Sequence, residues 1–543
     1  MPRRLILAAA LAAAASASLA QTAADLQMQA NMAFASRDYE RAGTLLEQSF
    51  ERQPQPAQLY NAACAYALGG QKEQAMRTLQ RALANGFFNA TLAEKDSDLA
   101  ALHGDPRWPA LLEQMKQKEV LEARLFNSAA LRSPYRDDLP EDEKVAGLSK
   151  FWSEVKYNFV YTDRLKELDW DKLYLETLPK VRATTSTAEY YRVLIQLGAK
   201  LRDGHTGIWG ADELLNKDWA KPLLKTRLVE GKVVVDAVFD PDLVARGVAR
   251  GTEITEVDGE PVKAWAEREI RPYVSASSEH DMNQRVYGYQ FLQGPVDVAP
   301  RVSFRTAAGK AFDAPVKRVS FQEYGKLAPK IEAFEFRMLP GNVAYVALNS
   351  FGNSKAADGF LAAFDQIARS QALIIDVRNN GGGNSGEGYR VLSTLTDKTY
   401  VPGKWGTRDY RPTYRAWQMA NPDHEELDTP RGPDMAHQYS KPVVVLTSAR
   451  TYSAAEDFAL AFDILQRGQI IGEATGGSTG QPLFFDLPGG GHARICTRSV
   501  TYPDGRVWIG KGIAPNVTVA PTVADIRKGR DTVLEAALAS LRK

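Results

Sequence analysis

Two cysteines and six histidines in 543 residues leave little material for a disulfide framework or a metal centre. Cys64 lies among alanines in Asn61-Ala-Ala-Cys-Ala-Tyr66 and reads as a small core residue, far in sequence from Cys496, so no structural disulfide is expected. No His-Glu-x-x-His or comparable spacing occurs, so no metal is expected either. Charge of one sign is also missing. Lys+Arg number 67 against 66 Asp+Glu, which gives no electrostatic case for nucleic acid or an anionic membrane as partner. After the first 20 residues no apolar run reaches the ~18 residues of a spanning helix, which argues against stable membrane insertion. No Gly-Lys-Ser/Thr follows a glycine loop, so a P-loop is excluded and no cofactor is expected.

What is present is a multidomain α/β chain. Residues 1–20 combine a basic start (Arg3, Arg4), an apolar run from Leu5 to Ala15 and small residues at Ser18 and Ala20. That layout is a secretory signal peptide, so a periplasmic or secreted protein is expected. Residues 25–118 read as helix pairs. Ala33 to Ala42 and Ala65 to Ala75 share a pattern in which a polar turn is followed by an alanine that opens the next helix. Such repeats resemble tetratricopeptide repeats, a possible docking surface for a protein partner. Residues 119–215 stay helical, with amphipathic runs at Glu141 to Tyr157 and Ala188 to Leu201, the second ending in Arg202-Asp-Gly-His-Thr206. Residues 222–320 turn β-rich, and Ile254-Thr-Glu-Val-Asp-Gly-Glu-Pro-Val262 resembles a segment of PDZ domains. Over 335–525, short apolar strands (Val343–Leu348, Ala372–Val377, Val443–Leu446, Ile470–Gly472) alternate with helical patterns at Ala356 to Arg369 and Glu387 to Leu395. This predicts a largely parallel sheet with its site at the strand C-termini.

Three loops follow those strands. Asp376-Val-Arg-Asn-Asn-Gly-Gly-Gly-Asn-Ser-Gly386 offers backbone N–H groups to a developing negative charge. It also satisfies Gly-x-Gly-x-x-Gly, but Arg378-Asn-Asn380 intervene between strand and glycines, and no acid ends a second strand at the right distance. In Leu446 to Phe458 a helix begins near Ser453. The Ser453-Ala-Ala-Glu456 stretch matches a capping box, and Thr451 offers an alternative cap that leaves Ser453 free. Gly472-Glu-Ala-Thr-Gly-Gly-Ser-Thr-Gly-Gln481 is placed to line a cleft, with Glu473 able to orient a histidine. Of the histidines, His103, His280, His424 and His437 sit in polar, turn-like settings expected at the surface. His492 lies in a glycine-rich turn, and His205 stands apart in Asp-Gly-His-Thr.

Taken together, Leu201-Arg-Asp-Gly-His-Thr206, Leu373 to Gly383, Thr451-Tyr-Ser-Ala-Ala-Glu456, Gly472-Glu-Ala-Thr-Gly-Gly477 and Gly512-Ile-Ala-Pro-Asn516 resemble the S41 serine peptidases. That family includes the C-terminal processing proteases and the tricorn-type core. The resemblance implies a core of the ClpP/crotonase-like kind acting on peptide or protein substrates. It implies Ser453 as nucleophile and the N–H groups of Gly382 and Ala454 as oxyanion hole. One branch of the family activates its serine with a lysine. Ser478 stands at that place here, and no lysine occurs between Ser453 and Lys511. The histidine branch therefore fits, with His205 as general base. Two departures stand out: Gly204 replaces the serine that precedes the histidine in the tricorn-type pattern, and Trp508-Ile-Gly-Lys511 replaces the acid before Gly512. Glu473, with Asp203 behind it, is the expected third member. The competing expectation is a non-catalytic peptide- or ligand-binding protein on the same fold.

Overall fold

A computed structural model describes residues 22–542, and the signal-like segment at 1–20 lies outside the described residues. The chain divides into two compact units. One holds the residues up to Ser128 with Thr429–Gly432, the other Ala129–Asp428 with the residues from Pro433 onward.

In the first unit, Ala23–Ala35, Tyr39–Arg52, Pro56–Leu68 and Lys72–Ala84 are helices, each packed on the next. They start in steps of 33 residues (56 − 23 and 72 − 39). Leu59, Met76 and Leu79 are fully buried between them, with alanines where the helices approach. The helix Trp108–Phe126 runs straight through the boundary expected at residue 118, because Trp108, Leu111, Leu112 and Met115 anchor its first turns in this core.

Three apolar runs explain the centre of the second unit. Val343–Leu348 (β2), Ala372–Asp376 (β3) and Val443–Thr447 (β4) are buried along their whole length, as strands covered on both faces must be. With Phe334–Leu339 (β1), Gln469–Gly472 (β5) and Val517–Thr518 (β6) they form a six-stranded sheet in sequence order. Only β1 runs antiparallel to its neighbour. Alternation sends Val346, Ile375 and Val445 to a face packed with Phe360, Phe458 and Phe462. Tyr345, Ile374 and Val444 go to the other face, against Val533 and Ala537. The first face carries the helix Ala454–Leu465 (α2), and the helix Thr187–Ala199 (α1) belongs to the helical segment that precedes the sheet in the chain. Residues 224–315 form a separate antiparallel sheet in which Glu253–Val257 turns through Asp258-Gly259 into Glu260–Pro261.

The structure differs from the sequence reading in three places. The run Ala356 to Arg369 is two helices, Lys355–Ala362 and Phe364–Arg369, broken at Ala363. His424 lies on a strand, Asp423–Leu427, rather than in a turn. The third difference moves a whole segment. Pro482–Asp486 and His492–Cys496 leave the parallel sheet as an antiparallel ribbon, whose second strand pairs with Gly207–Trp209. Their apolar residues, Phe485, Ile495 and the free thiol Cys496 among them, fill the core of the helical segment with Phe151, Tyr190 and Leu194.

Candidate active site

Between β4 and α2 the chain turns sharply. Thr451, weighed above as a helix cap, is buried and donates its hydroxyl to the Val377 carbonyl at 2.9 Å, tying the turn to the end of β3. Ser453 then adopts φ +56° and ψ −125°, a conformation side-chain-bearing residues rarely hold. Such strain costs about 1–3 kcal/mol and persists only where the surroundings enforce it. Here the Ser453 N–H donates to Glu456 Oε2 (3.0 Å) and to the Ser478 carbonyl (3.2 Å). Glu456 thus supplies its half of the capping box, while the Ser453 hydroxyl turns outward.

That hydroxyl meets His205. After α1 ends, Arg202 takes a left-handed turn (φ +49°) and residues 203–206 are braced from the β-rich segment. The Asp203 N–H donates to Ser275 Oγ and the Gly204 N–H to Ser277 Oγ, both at 3.0 Å. The pairing of Gly207–Trp209 with His492–Cys496 then carries the loop to the mouth of the central sheet. His205 Nε2 lies 2.9 Å from Ser453 Oγ, and Nδ1 lies 2.8 Å from Ser478 Oγ. The ring is only 4% exposed and stacks on Tyr452, with centroids 5.2 Å apart and planes at 17°. Burial first, then repulsion from Arg494 and Arg285, pushes its pKa down to about 3, so the ring is neutral at pH 7. For Nε2 to accept the serine proton, Nδ1 must carry the hydrogen, and Ser478 Oγ is positioned to accept it.

Beneath the pair lies Glu456, fully buried at the base of α2. Its carboxyl receives Thr475 Oγ1 (2.7 Å), Gly477 N–H (2.6 Å), Ser478 N–H (3.1 Å) and Ser453 N–H (3.0 Å). Burial pushes its pKa up to about 8 against the pull of these donors. One carboxyl therefore joins the turn carrying Ser453 to the loop carrying Ser478.

Several expected roles need correction. Glu473 does not reach His205: its backbone pairs with Thr447 beside β4, and its side chain lines a separate cavity with Arg227, Arg450 and Asp236. The Asp203 carboxyl, equally absent from the ring, receives Thr206 Oγ1 at 2.8 Å. At Gly382 the N–H is already donated to Asn380 Oδ1 at 2.9 Å. Ala454 N–H, at the first helical position, has no acceptor among the described residues. Gly382 is nonetheless fitted against the turn: with φ +98°, a Cβ there would lie 2.7 Å from Ser453 Cβ. His280, expected at the surface, is partly buried and bonds the Thr475 carbonyl. The departure at Gly204 has a plain cause, since a Cβ there would lie 1.7 Å from the Tyr452 hydroxyl, which fills the space. Among the described residues no group of three or more metal-ligating side chains occurs.

Two participants escaped the sequence reading. Glu456 was weighed only as a helix cap, although it interrupts an apolar helix face (Ala454, Ala455, Phe458, Ala459) and an acid there needs buried donors. Ser478 was noted only for not being lysine.

The profile of Peptidase family S41 matches residues 342–519. A chloroplastic C-terminal processing peptidase of Tetradesmus obliquus is 30% identical over 184 residues, 33% of this chain and 36% of that protein. A carboxy-terminal-processing protease of Bartonella bacilliformis is 23% identical over 55% of this chain and 61% of its own length. A putative tricorn protease homolog of Streptomyces coelicolor is 24% identical over 68% of this chain but only 30% of its own length. The chain thus spans about a third to three fifths of these curated relatives. Among solved structures, mature CPAF complexed with lactacystin shares the fold with a TM-score of 0.58 at 16% identity, covering 74% of this chain and 98% of that one.

Proposed function

We propose, from the match of residues 342–519 to Peptidase family S41, that the chain is a serine peptidase that cleaves peptides through an acyl-enzyme. The observation that carries the proposal is the 2.9 Å contact between Ser453 Oγ and His205 Nε2. An unassisted serine hydroxyl is a poor nucleophile, and a neutral imidazole within hydrogen-bond reach is the acceptor it needs. Ser453 attacks the scissile carbonyl as its proton passes to Nε2. The imidazolium then returns that proton to the leaving amine, and water repeats the sequence on the acyl-enzyme. Ser478 receives the Nδ1 hydrogen and holds the productive tautomer. The Ala454 N–H, at the positive end of α2, faces the developing oxyanion, and Gly382 joins it only by releasing Asn380 Oδ1. Among the described residues no carboxylate contacts the imidazole, so the set is Ser–His–Ser with Glu456 acting through the backbone.

The remaining parts follow as expectations of the same reading. The leader at 1–20 directs export, to a periplasm in a double-membraned bacterium, and no helix among the described residues is long and apolar enough to cross a membrane. The 33-residue helical step supports a tetratricopeptide-like docking surface for a protein partner, and the antiparallel sheet at 224–315 supports a PDZ-like module.

A fluorophosphonate probe tests the core of this. Wild type should label at Ser453, Ser453→Ala should not label, and His205→Ala should label at least about a thousandfold more slowly. A folded wild type that never labels would replace this reading with the non-catalytic binding protein.

A further inference from the structure

Behind the loop that carries His205 is a cavity of about 350 Å³, bordered by Gly204, Thr206 and Gly207. Four cations line it: Arg192, Lys221, Arg285 and Arg494. Arg285 is paired, its Nε 2.8 Å from Asp281 Oδ1. The other three have no carboxylate within 4.0 Å among the described residues. Each rests instead on an aromatic ring of the same wall. Arg192 lies 4.5 Å from the Tyr273 centroid, Lys221 4.7 Å from Phe321, and Arg494 5.2 Å from Trp209. The two acids on the rim do not balance them: Glu269 is held by Arg268, and Asp218 forms no ion pair among the described residues. Arg494 Nε is buried without a hydrogen-bond partner, and its Nη2 reaches only the Gly204 carbonyl, at 3.4 Å.

We propose that this cavity is a subsite for the carboxylates of a bound peptide. Leaving a partly buried guanidinium or ammonium without a counter-charge is unfavourable, and a carboxylate accepting from it relieves that cost with a charge-assisted bond. Aromatic faces beneath the cations hold them in place without neutralising them, which keeps their outward donors available. Burial already holds Lys221 and Arg494 below their usual pKa values, the sign of charges short of solvation, even with the Asp203 carboxylate pulling Arg494 the other way. The inference rests on the peptidase reading for its occupant: the wall includes residues flanking His205, so the carboxylates belong to the chain being processed. They come from acidic side chains or from a chain end.

The test uses the full chain with Ser453→Ala and three fluorescein-labelled probes read by anisotropy. These are Ala-Glu-Ala-Glu-Ala-Glu amide, its Gln counterpart as amide, and the Gln peptide with a free carboxyl end. The Glu amide should bind about tenfold or more tightly than the Gln amide. That preference should shrink in Arg192→Gln and again in Arg494→Gln. Arg192 is exposed, so its variant will fold, and fluorophosphonate labelling of the same variants with Ser453 restored checks the site. A preference seen only for the free carboxyl end, and lost in Arg192→Gln, assigns the cavity to a chain terminus. All three probes binding alike, or a preference untouched by both substitutions in proteins that label normally, overturns the proposal. A wild type that never labels while the Glu preference holds sinks the peptidase reading and upholds the cavity.

Discussion

Glu456 and Arg494 are ionisable groups buried in the same unit, one on either side of the His205 loop, and their surroundings are opposite. Glu456 receives four donors and touches no cation. Arg494 has an aromatic ring, one long bond to a carbonyl and no carboxylate within ion-pair distance among the described residues. A matched group is part of the scaffold, since removing any partner orphans the rest. An unmatched one beside open space is a receptor, completed only by what enters. The contrast separates what holds the site together from what the site selects.

Three substitutions would break or sharpen that contrast. The largest effect belongs to Glu456→Gln. Whichever way a carboxamide turns, its NH2 faces backbone N–H groups that now point at a carboxyl oxygen, Gly477 on one side or Ser453 and Ser478 on the other, costing about 2–4 kcal/mol of stability. Fluorophosphonate labelling should fall about a hundredfold as Ser453 and Ser478 shift. The same residue gives a pH signature. Its folded pKa of about 8 lies above the ordinary 4.5, so the folded state holds the proton more tightly. Its contribution to stability should fall as pH rises from about 4.5 through about 8, so denaturant melts over that window should show a shallower slope in the Gln variant than in wild type.

A smaller effect is expected at Ser478. Ser478→Ala keeps the fold but removes the acceptor for Nδ1–H, so the tautomer that offers Nε2 to Ser453 is no longer held. The acylation rate constant should drop about tenfold with substrate affinity unchanged, and Ser478→Thr should restore most of it. An equal fall in affinity would mean that Ser478 merely packs the loop. The smallest effect is a gain. Ser453→Gly abolishes labelling yet removes the strain of a side chain at φ +56°, so it should raise stability by about 1 kcal/mol over Ser453→Ala.

Much of this was legible in the residues themselves. β2, β3 and β4 were readable because strands buried on both faces must be continuous apolar runs, and Ser453 and His205 because both sit in short motifs whose order is distinctive. What escaped depends on distant pairing. Residues 482–496 carry apolar alternation suited to any strand, and nothing local says that His492–Cys496 pairs with Gly207–Trp209. Ser478 is one hydroxyl among many until the fold brings it 2.8 Å from Nδ1. Glu473 reads as the third member because its loop is placed to line the cleft, whereas the acid that braces the Ser453 turn enters from the first turn of α2, where cap and network use the same side chain. The commitment of the Gly382 N–H to Asn380 was hidden for a related reason: a glycine-rich loop advertises donors without revealing which are already taken.

The strand His492–Cys496 has a consequence for when the Ser453–His205 pair can form during synthesis. His205 is synthesised 248 residues before Ser453, and the ribbon that anchors its loop is made later than either. A growing or truncated chain that stops short of residue 496 contains both reactive side chains but lacks the clasp that brings them together. On the peptidase reading, the pair is therefore clasped only after residue 496 has been made, a timing set by the order of the strands.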